Sequence, residues 1–185
     1  DESYHGLTYV KAFGKMGYTT KLVAQLMRDL GSIPAPMNSF ILNLGLQTLH
    51  LRMAQHCSNA QRVAEFLQAD PRVAWVHYSG LPGDAYHELA EKYLPGGSCG
   101  VIAFGLKGDR ETAIRFMDSL DMINIVTHVA DARTCVLHPA SHTHRQLSDE
   151  QLREAGVAPD LIRLSVGIED CDDILDDIRQ ALDKI

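Results

Sequence analysis

The clearest alternation of apolar and polar residues lies near the end of the chain, where it predicts a β-strand. Successive side chains of a strand point to opposite faces of the sheet. Ile162, Leu164 and Val166 therefore share one face, whereas Arg163 and Ser165 share the other. The strand thus carries an apolar side that must be covered and a polar side that holds one arginine.

The residues that follow predict an amphipathic helix over 170–185. Apolar side chains recur there at spacings of three and four, which places them on one side of a helix. They are Ile174, Leu175, Ile178, Ala181, Leu182 and Ile185. We expect this helix to cover the apolar face of the strand, so that Arg163 points into open space on the other side.

Strand-like and helix-like segments alternate through the region that precedes this strand. The patterns predict strands over 73–78, 100–106, 123–129 and 134–137, and helices over 84–93, 109–120 and 148–156. Such alternation indicates an α/β (α+β) fold, with a small sheet of four or five strands and helices mainly on one face.

The amino-terminal third of the chain has a different pattern. Residues 1–17 are rich in glycine and aromatic side chains, and we expect them to be irregular, whereas residues 18–30 predict a helix. Asn38 is expected to cap a long helix that reaches about Gln68, and Gly45 and residues 49–51 could kink this helix. This helix begins apolar and becomes amphipathic after Arg52, so we place a linker between two structural units within it.

The composition narrows the class of protein. The chain has 185 residues, 45% hydrophobic and 22% charged, which is typical of a globular protein that can bury a core. Its formal net charge of −7 argues against nucleic acid or an anionic membrane as a partner. Four cysteines without a CxxC pair indicate reduced thiols and a cytoplasmic location. The chain starts without methionine or a signal peptide, so we expect part of a longer polypeptide.

Arg163 is the most specific candidate for binding chemistry. A guanidinium held on a rigid strand suits the planar, bidentate recognition of a carboxylate. The alternative is an ordinary surface arginine that pairs with a nearby Asp or Glu.

Two other segments carry candidate chemistry. Residues 135–144 contain one cysteine and three histidines, which could bind zinc, but their spacing matches no common structural zinc pattern and we expect no metal. The alternative is a loop that folds over a pocket and supplies hydrogen bonds. Lys21 could form a Schiff base, although that chemistry needs a desolvated amine and a lysine in the first turn of an amphipathic helix is usually solvated.

Several longer blocks occur in the same order in a known family. They are Pro34–Leu42, Gly45–Met53, His56–Ala60, His138–His144 and Leu161–Asp170. On these blocks the chain resembles the Cys/Met-metabolism family of pyridoxal phosphate enzymes over essentially its whole length. The residues around Tyr78–Pro82 and Tyr86–Leu94 are similar to those of the members that make homocysteine from O-acetylhomoserine and sulfide.

The resemblance implies the carboxyl-terminal half of a fold-type-I transferase. Residues 1–52 would be the end of the cofactor-binding large domain and a long linking helix. Residues 53–185 would be the small domain, built on a mostly antiparallel sheet. The lysine that binds pyridoxal phosphate would lie upstream of Asp1, so we expect no catalytic residue and no bound cofactor in this chain, and no activity from it alone. The implied partners are an amino-acid substrate, the amino-terminal half and further copies in a tetramer.

Two substrate-binding residues follow from the resemblance. Arg163 falls on the family's arginine for the substrate α-carboxylate. His128 stands where related lyases and synthases have a serine that contacts the same substrate region. His128 could donate a hydrogen bond or gate the sulfur-side pocket, or it could be a partly exposed histidine at a strand end.

Other functions stay open at this point. Within the family, a methionine γ-lyase or a cystathionine γ-synthase-like enzyme would carry the same motifs. Outside the enzyme class, a stand-alone module could keep the amino-acid pocket, and a metal-binding protein could use the histidine loop. The apolar residues Leu42, Leu44, Leu46 and Leu49 could form an exposed patch, which would favour self-association.

Overall fold

The computed structural model describes residues 1–185, except for the side chain of Ser3. The chain divides into two compact units, residues 1–47 and residues 48–185. In the part of the chain that is described, no helix is both long enough and apolar enough to cross a membrane.

The first unit consists of short helical segments. Its elements are a 3-10 turn Glu2–Tyr4, α1 Tyr9–Phe13, a 3-10 turn Gly14–Met16, α2 Gly17–Lys21, a π-helical segment Leu22–Met27, α3 Arg28–Leu30 and α4 Pro36–Gln47. The expectation of an irregular segment over 1–17 was wrong, because several helical turns form there. The helix predicted over 18–30 is confirmed, and it ends where Gly31 adopts a left-handed φ of 67° that glycine tolerates without strain.

The long helix predicted from Asn38 differs from the structure in two ways. α4 begins at Pro36, so Asn38 lies inside the helix rather than at its cap. Proline suits the first helical position because its φ is fixed near the helical value and its missing N–H needs no partner there. Close to the expected kink the helix is interrupted, because α4 ends at Gln47 and Thr48 (ψ of 4°) separates it from α5, Leu49–Ala69.

The second unit contains all the strands. After α5 come β1 Val73–His77, α6 His87–Tyr93, β2 Val101–Leu106, α7 Arg110–Asp118, β3 Asn124–Ile125, β4 Cys135–Leu137, α8 Asp149–Glu154, β5 Leu161–Ser165 and α9 Cys171–Leu182. The strands form one sheet in the order β1-β2-β5-β4-β3, and only the β3–β4 pair is parallel. The mostly antiparallel α/β architecture is therefore confirmed. The strand expected over 123–129 is shorter than predicted, since the chain turns into a loop after Val126.

The apolar face of β5 lies in the core, as its alternation predicts. Ile162 and Val166 have no exposed surface, and they belong to one cluster with Ile174 and Ile178 of α9. Side chains of α5 and α7 complete the cluster, including Phe116, whose ring meets that of Phe104 edge to face. The polar face of β5, with Arg163, is on the opposite side of the sheet from this cluster.

A buried carboxylate on α9 joins that helix to the connection before β3. Asp177 accepts hydrogen bonds from the backbone N–H groups of Asp121, Met122 and Ile123 at 2.8, 3.0 and 2.8 Å. It is 6% exposed. An ionised carboxylate that accepts from several backbone donors forms strong, charge-assisted hydrogen bonds, so Asp177 fixes where the chain enters the sheet edge.

Candidate functional site

Arg163 lies in the middle strand of the sheet between two apolar neighbours. Its register partners are Ala103 on β2 and Leu137 on β4, and neither can neutralise a cation. Nη2 donates to the carbonyl oxygen of Thr127 at 3.0 Å. Nε is buried and makes no hydrogen bond to any described residue, and no carboxylate of the described residues forms an ion pair with this arginine.

This arrangement favours an anionic ligand. A buried N–H without a partner costs on the order of 1–3 kcal/mol, and the cost is larger for a charged group. A planar carboxylate bound to the guanidinium would balance the charge, which no described residue neutralises. The guanidinium of Arg163 is therefore suited to bind a carboxylate from outside the described fold.

The loop that follows β3 is attached to the same face of β5. Thr127 accepts from Arg163, and the N–H of Ala130 donates to Ser165 Oγ at 3.0 Å. Ala130 has a φ of 60°, a left-handed conformation that L-residues other than glycine rarely adopt. The two polar side chains of the strand thus hold the loop through its backbone.

His128 lies on this loop with its side chain largely exposed. Its Nδ1 is 3.5 Å from Oδ2 of Asp131. Asp131 in turn accepts from the backbone N, Nε and Nη2 of Arg133, and these hydrogen bonds, chiefly those of the side chain, lower the pKa of Asp131 to about 2. Asp131 is therefore ionised at neutral pH and lies on the Nδ1 side of the His128 imidazole.

The segment after β5 is held by a second group of hydrogen bonds. Glu169 accepts from the backbone N and the hydroxyl of Thr134, at 2.5 and 2.9 Å, and Thr134 Oγ1 accepts from the N–H of Gly167 at 2.9 Å. A Cβ on Gly167 would lie 2.5 Å from both the carbonyl oxygen of Ala132 and the backbone nitrogen of Thr134. The position therefore requires glycine because two backbones approach closely there.

Two side chains of α5 bind the carbonyl groups of the same segment. His56 Nδ1 lies 2.6 Å from the carbonyl oxygen of Val166, and Asn59 Nδ2 donates to the carbonyl oxygens of Gly167 and Glu169. Both side chains are nearly fully buried. The sequence reasoning assigned them no role, although their spacing of three on one helix face was a usable signal.

The histidine loop is a structural feature in this fold. His138 is fully buried, with Nδ1 2.9 Å from Ser141 Oγ and Nε2 2.9 Å from the carbonyl oxygen of Pro159. Burial lowers the pKa of His138. Both ring nitrogens are engaged, so His138 is not available to a metal, and the described residues contain no group of three or more potential ligands placed to hold one.

The lysines do not form a cofactor site. Lys21 forms an ion pair with Asp1 at 2.9 Å and its side chain is 45% exposed. The other five lysines of the chain are all exposed. A Schiff-base lysine needs a desolvated amine, so the described residues do not fit a covalently held pyridoxal phosphate.

Comparison with known proteins identifies the family of this chain. Residues 6–183 match the family model described as Cys/Met metabolism PLP-dependent enzyme. The chain belongs to this family. Its sequence is 42% identical over 179 residues to O-acetyl-L-homoserine sulfhydrylase 1 of Thermus thermophilus, covering 97% of this chain and 42% of that protein. It is also 42% identical over 180 residues to the homocysteine synthase of Schizosaccharomyces pombe, again covering 97% and 42%.

A solved structure gives the same relationship. The chain superposes with a TM-score of 0.87 on the O-acetylhomoserine (thiol)-lyase of Campylobacter jejuni, at 38% identity, covering 99% of this chain and 43% of the other. That crystal structure contains an N'-pyridoxyl-lysine-5'-monophosphate residue. The chain therefore spans less than half the length of the family members it matches, and the family resemblance on its sequence blocks is confirmed.

Proposed function

We propose that the protein to which these residues belong is a pyridoxal phosphate-dependent transferase that makes homocysteine and acetate from O-acetylhomoserine and sulfide. The observation that carries this proposal is the guanidinium of Arg163 on the polar face of β5, whose charge no carboxylate of the described residues balances. The names of the relatives, O-acetylhomoserine sulfhydrylase and homocysteine synthase, support the choice of substrate.

In this proposal Arg163 binds the α-carboxylate of O-acetylhomoserine. The side chain is fixed at one end by its strand and at the other by the carbonyl oxygen of Thr127. A carboxylate bound to such a fixed group has a defined orientation, which presents the remaining bonds of the substrate at a constant angle to the cofactor. Orientation of this kind can contribute several kcal/mol to a rate, on the order of 7–11 kcal/mol in the best intramolecular cases.

His128 is proposed to contact the same substrate from the loop. Asp131 engages Nδ1, which leaves Nε2 facing away from that carboxylate. An imidazole oriented in this way can donate a hydrogen bond to the substrate or restrict access to its sulfur-accepting side. The exposed position of His128 agrees with a ligand-facing role as well as with a role as an entrance residue.

The cofactor would be held by residues outside these 185. When bound, pyridoxal phosphate supplies the electron sink that replacement at Cγ requires. Residues 1–52 are proposed to be the end of the cofactor domain and its linking helix, and residues 53–185 the small domain. The side chains of Phe40, Ile41 and Leu44 on α4 are more than half exposed. We propose that they pack against the remainder of the enzyme or against another copy in a cytoplasmic oligomer.

The test is an assay of the whole protein with O-acetylhomoserine in the presence and absence of sulfide. We expect homocysteine and acetate to form only when sulfide is present, and we expect no turnover by residues 1–185 alone. Release of an α-keto acid without sulfide would assign a γ-lyase, and turnover only with cysteine would assign a cystathionine synthase. An amino-acid-binding module would be favoured by two results together: calorimetry shows that the isolated chain binds O-acetylhomoserine, and the whole protein does not turn this substrate over.

A further inference from the structure

A small cavity lies at the end of β5, beside the position proposed for the substrate. Its volume is about 30 Å³. The lining includes residues from α5, β2, the loop after β3 and the end of β5, namely Met53, His56, Val101, Ala130, Ser165 and Val166. We call this space the Ser165 cavity.

The register of the sheet places the Ser165 cavity next to Arg163. Ser165 follows Arg163 by two positions on β5, so both side chains are on the same face, roughly 7 Å apart along the strand. Val101 is the register partner of Ser165 on β2. A molecule in this cavity would therefore lie one side-chain row away from a carboxylate bound to Arg163.

Two buried side chains supply polar groups to this otherwise apolar space. Ser165 is 2% exposed and accepts the N–H of Ala130, and its own hydroxyl proton has no acceptor among the described residues. His56 is 3% exposed and its Nδ1 faces the carbonyl oxygen of Val166, which can only accept. Nδ1 is therefore the donor in this contact, and when the ring carries a single proton its Nε2 is an acceptor.

We propose that the Ser165 cavity binds the second substrate, hydrogen sulfide, beside the amino acid. The inference rests on the proposed function. A space of this size exceeds the roughly 10–15 Å³ that one water needs, so it has room for one small molecule such as hydrogen sulfide. A buried water typically makes about three hydrogen bonds, whereas only one donor and one acceptor side chain meet here. Hydrogen sulfide, a weaker hydrogen-bonding molecule, suits these apolar walls: its S–H donates to His56 Nε2 and its sulfur accepts from Ser165.

Substitutions at Val101 in the full-length enzyme test the cavity by its volume. Val101→Ile adds one methylene to the wall, and a change of this size in a tight pocket alters binding by about tenfold or more. We expect the KM for sulfide to rise about tenfold, with the KM for O-acetylhomoserine unchanged. Val101→Ala should enlarge the cavity and raise kcat/KM for methanethiol relative to sulfide. Val76→Ile adds the same methylene on β1, on the core side of the sheet, and should leave both KM values unchanged.

A structural measurement gives an independent result. Crystals of the full-length enzyme soaked in sodium hydrosulfide should show an anomalous sulfur peak between His56 and Ser165. Water alone in the cavity, or an unchanged sulfide KM in a folded Val101→Ile enzyme that still makes homocysteine, would overturn the cavity assignment and leave the proposed function standing. Absence of sulfide-dependent homocysteine formation by the wild-type enzyme would overturn both.

Discussion

The guanidinium of Arg163 donates from Nη2 to the carbonyl oxygen of Thr127 at 3.0 Å. This single bond fixes one end of the group on the loop backbone, while the buried Nε has no partner among the described residues. The arginine therefore holds the loop that carries His128, and no carboxylate of the described residues balances its charge.

Replacement of Arg163 should weaken substrate binding strongly. In the full-length enzyme we expect Arg163→Ala to raise the KM for O-acetylhomoserine about 10- to 100-fold, because hydrogen bonds to a charged group contribute roughly 1.5–3 kcal/mol. Arg163→Lys keeps the charge but not the planar fork, so it should recover only part of the loss. Arg179→Ala, which removes an exposed arginine of α9, is the matched control. An unchanged KM in Arg163→Ala would remove the residue from this role.

The hydroxyl of Thr134 should contribute measurably to stability. It donates to Glu169 and accepts from Gly167, and the residue is 1% exposed. Thr134→Val keeps the shape but leaves a buried N–H and a carboxylate oxygen without that partner, so we expect the free energy of unfolding to fall by about 2 kcal/mol in urea titrations. Thr134→Ser retains the hydroxyl and should lose less than Thr134→Val. A loss in Thr134→Ser as large as that in Thr134→Val would show that the hydroxyl contributes no more than the methyl group, which contradicts this prediction.

Asp177 should be far more sensitive to neutral substitution than its neighbour Asp176. The two carboxylate oxygens of Asp177 accept hydrogen bonds from three backbone N–H groups. In Asn, one of these acceptor oxygens is replaced by an NH₂ group, which is a donor. We expect Asp177→Asn to lower the free energy of unfolding by about 2 kcal/mol. Asp176→Asn removes only an exposed ion pair with Arg179 and should have little effect on the urea midpoint. Similar midpoints for the two variants would contradict this assignment.

The buried His138 should make the protein less stable in acid. Burial lowers its folded-state pKa below the ordinary value of 6.5, more than the Pro159 carbonyl raises it. The unfolded state therefore binds more protons as the pH falls below about 6.5, so this contribution to stability is complete above that pH and is lost towards the folded pKa. Urea titrations between pH 8 and pH 5 should show a steeper decline for the wild type than for His138→Gln. His144→Gln, at a loop residue that is not fully buried, should keep the wild-type slope.

Much of the fold could be predicted from local patterns in the sequence. The alternation at 161–166 predicted that Ile162 lies in the core and Arg163 on the other face of the sheet. The apolar residues of α9 at spacings of three and four predicted which side of that helix is buried. Both predictions succeed because burial of apolar surface follows the period of each element. Ser148 and Gln151 form a capping box at the start of α8, which depends only on contacts three residues apart. The family resemblance on the quoted blocks was confirmed as well.

The contacts that define the candidate site were decided by the tertiary structure. His56 and Val166, or Thr134 and Glu169, are far apart in the chain, and nothing local in either segment indicates its partner. The same holds for the short β3, whose predicted extension to Val129 is replaced by a loop that bonds to Arg163 and Ser165. The sequence by itself determined which faces are apolar and that one arginine lies on the polar face. Only the packed sheet decided that its Nε is buried without a partner beside a small cavity, because burial depends on every element that meets at that point.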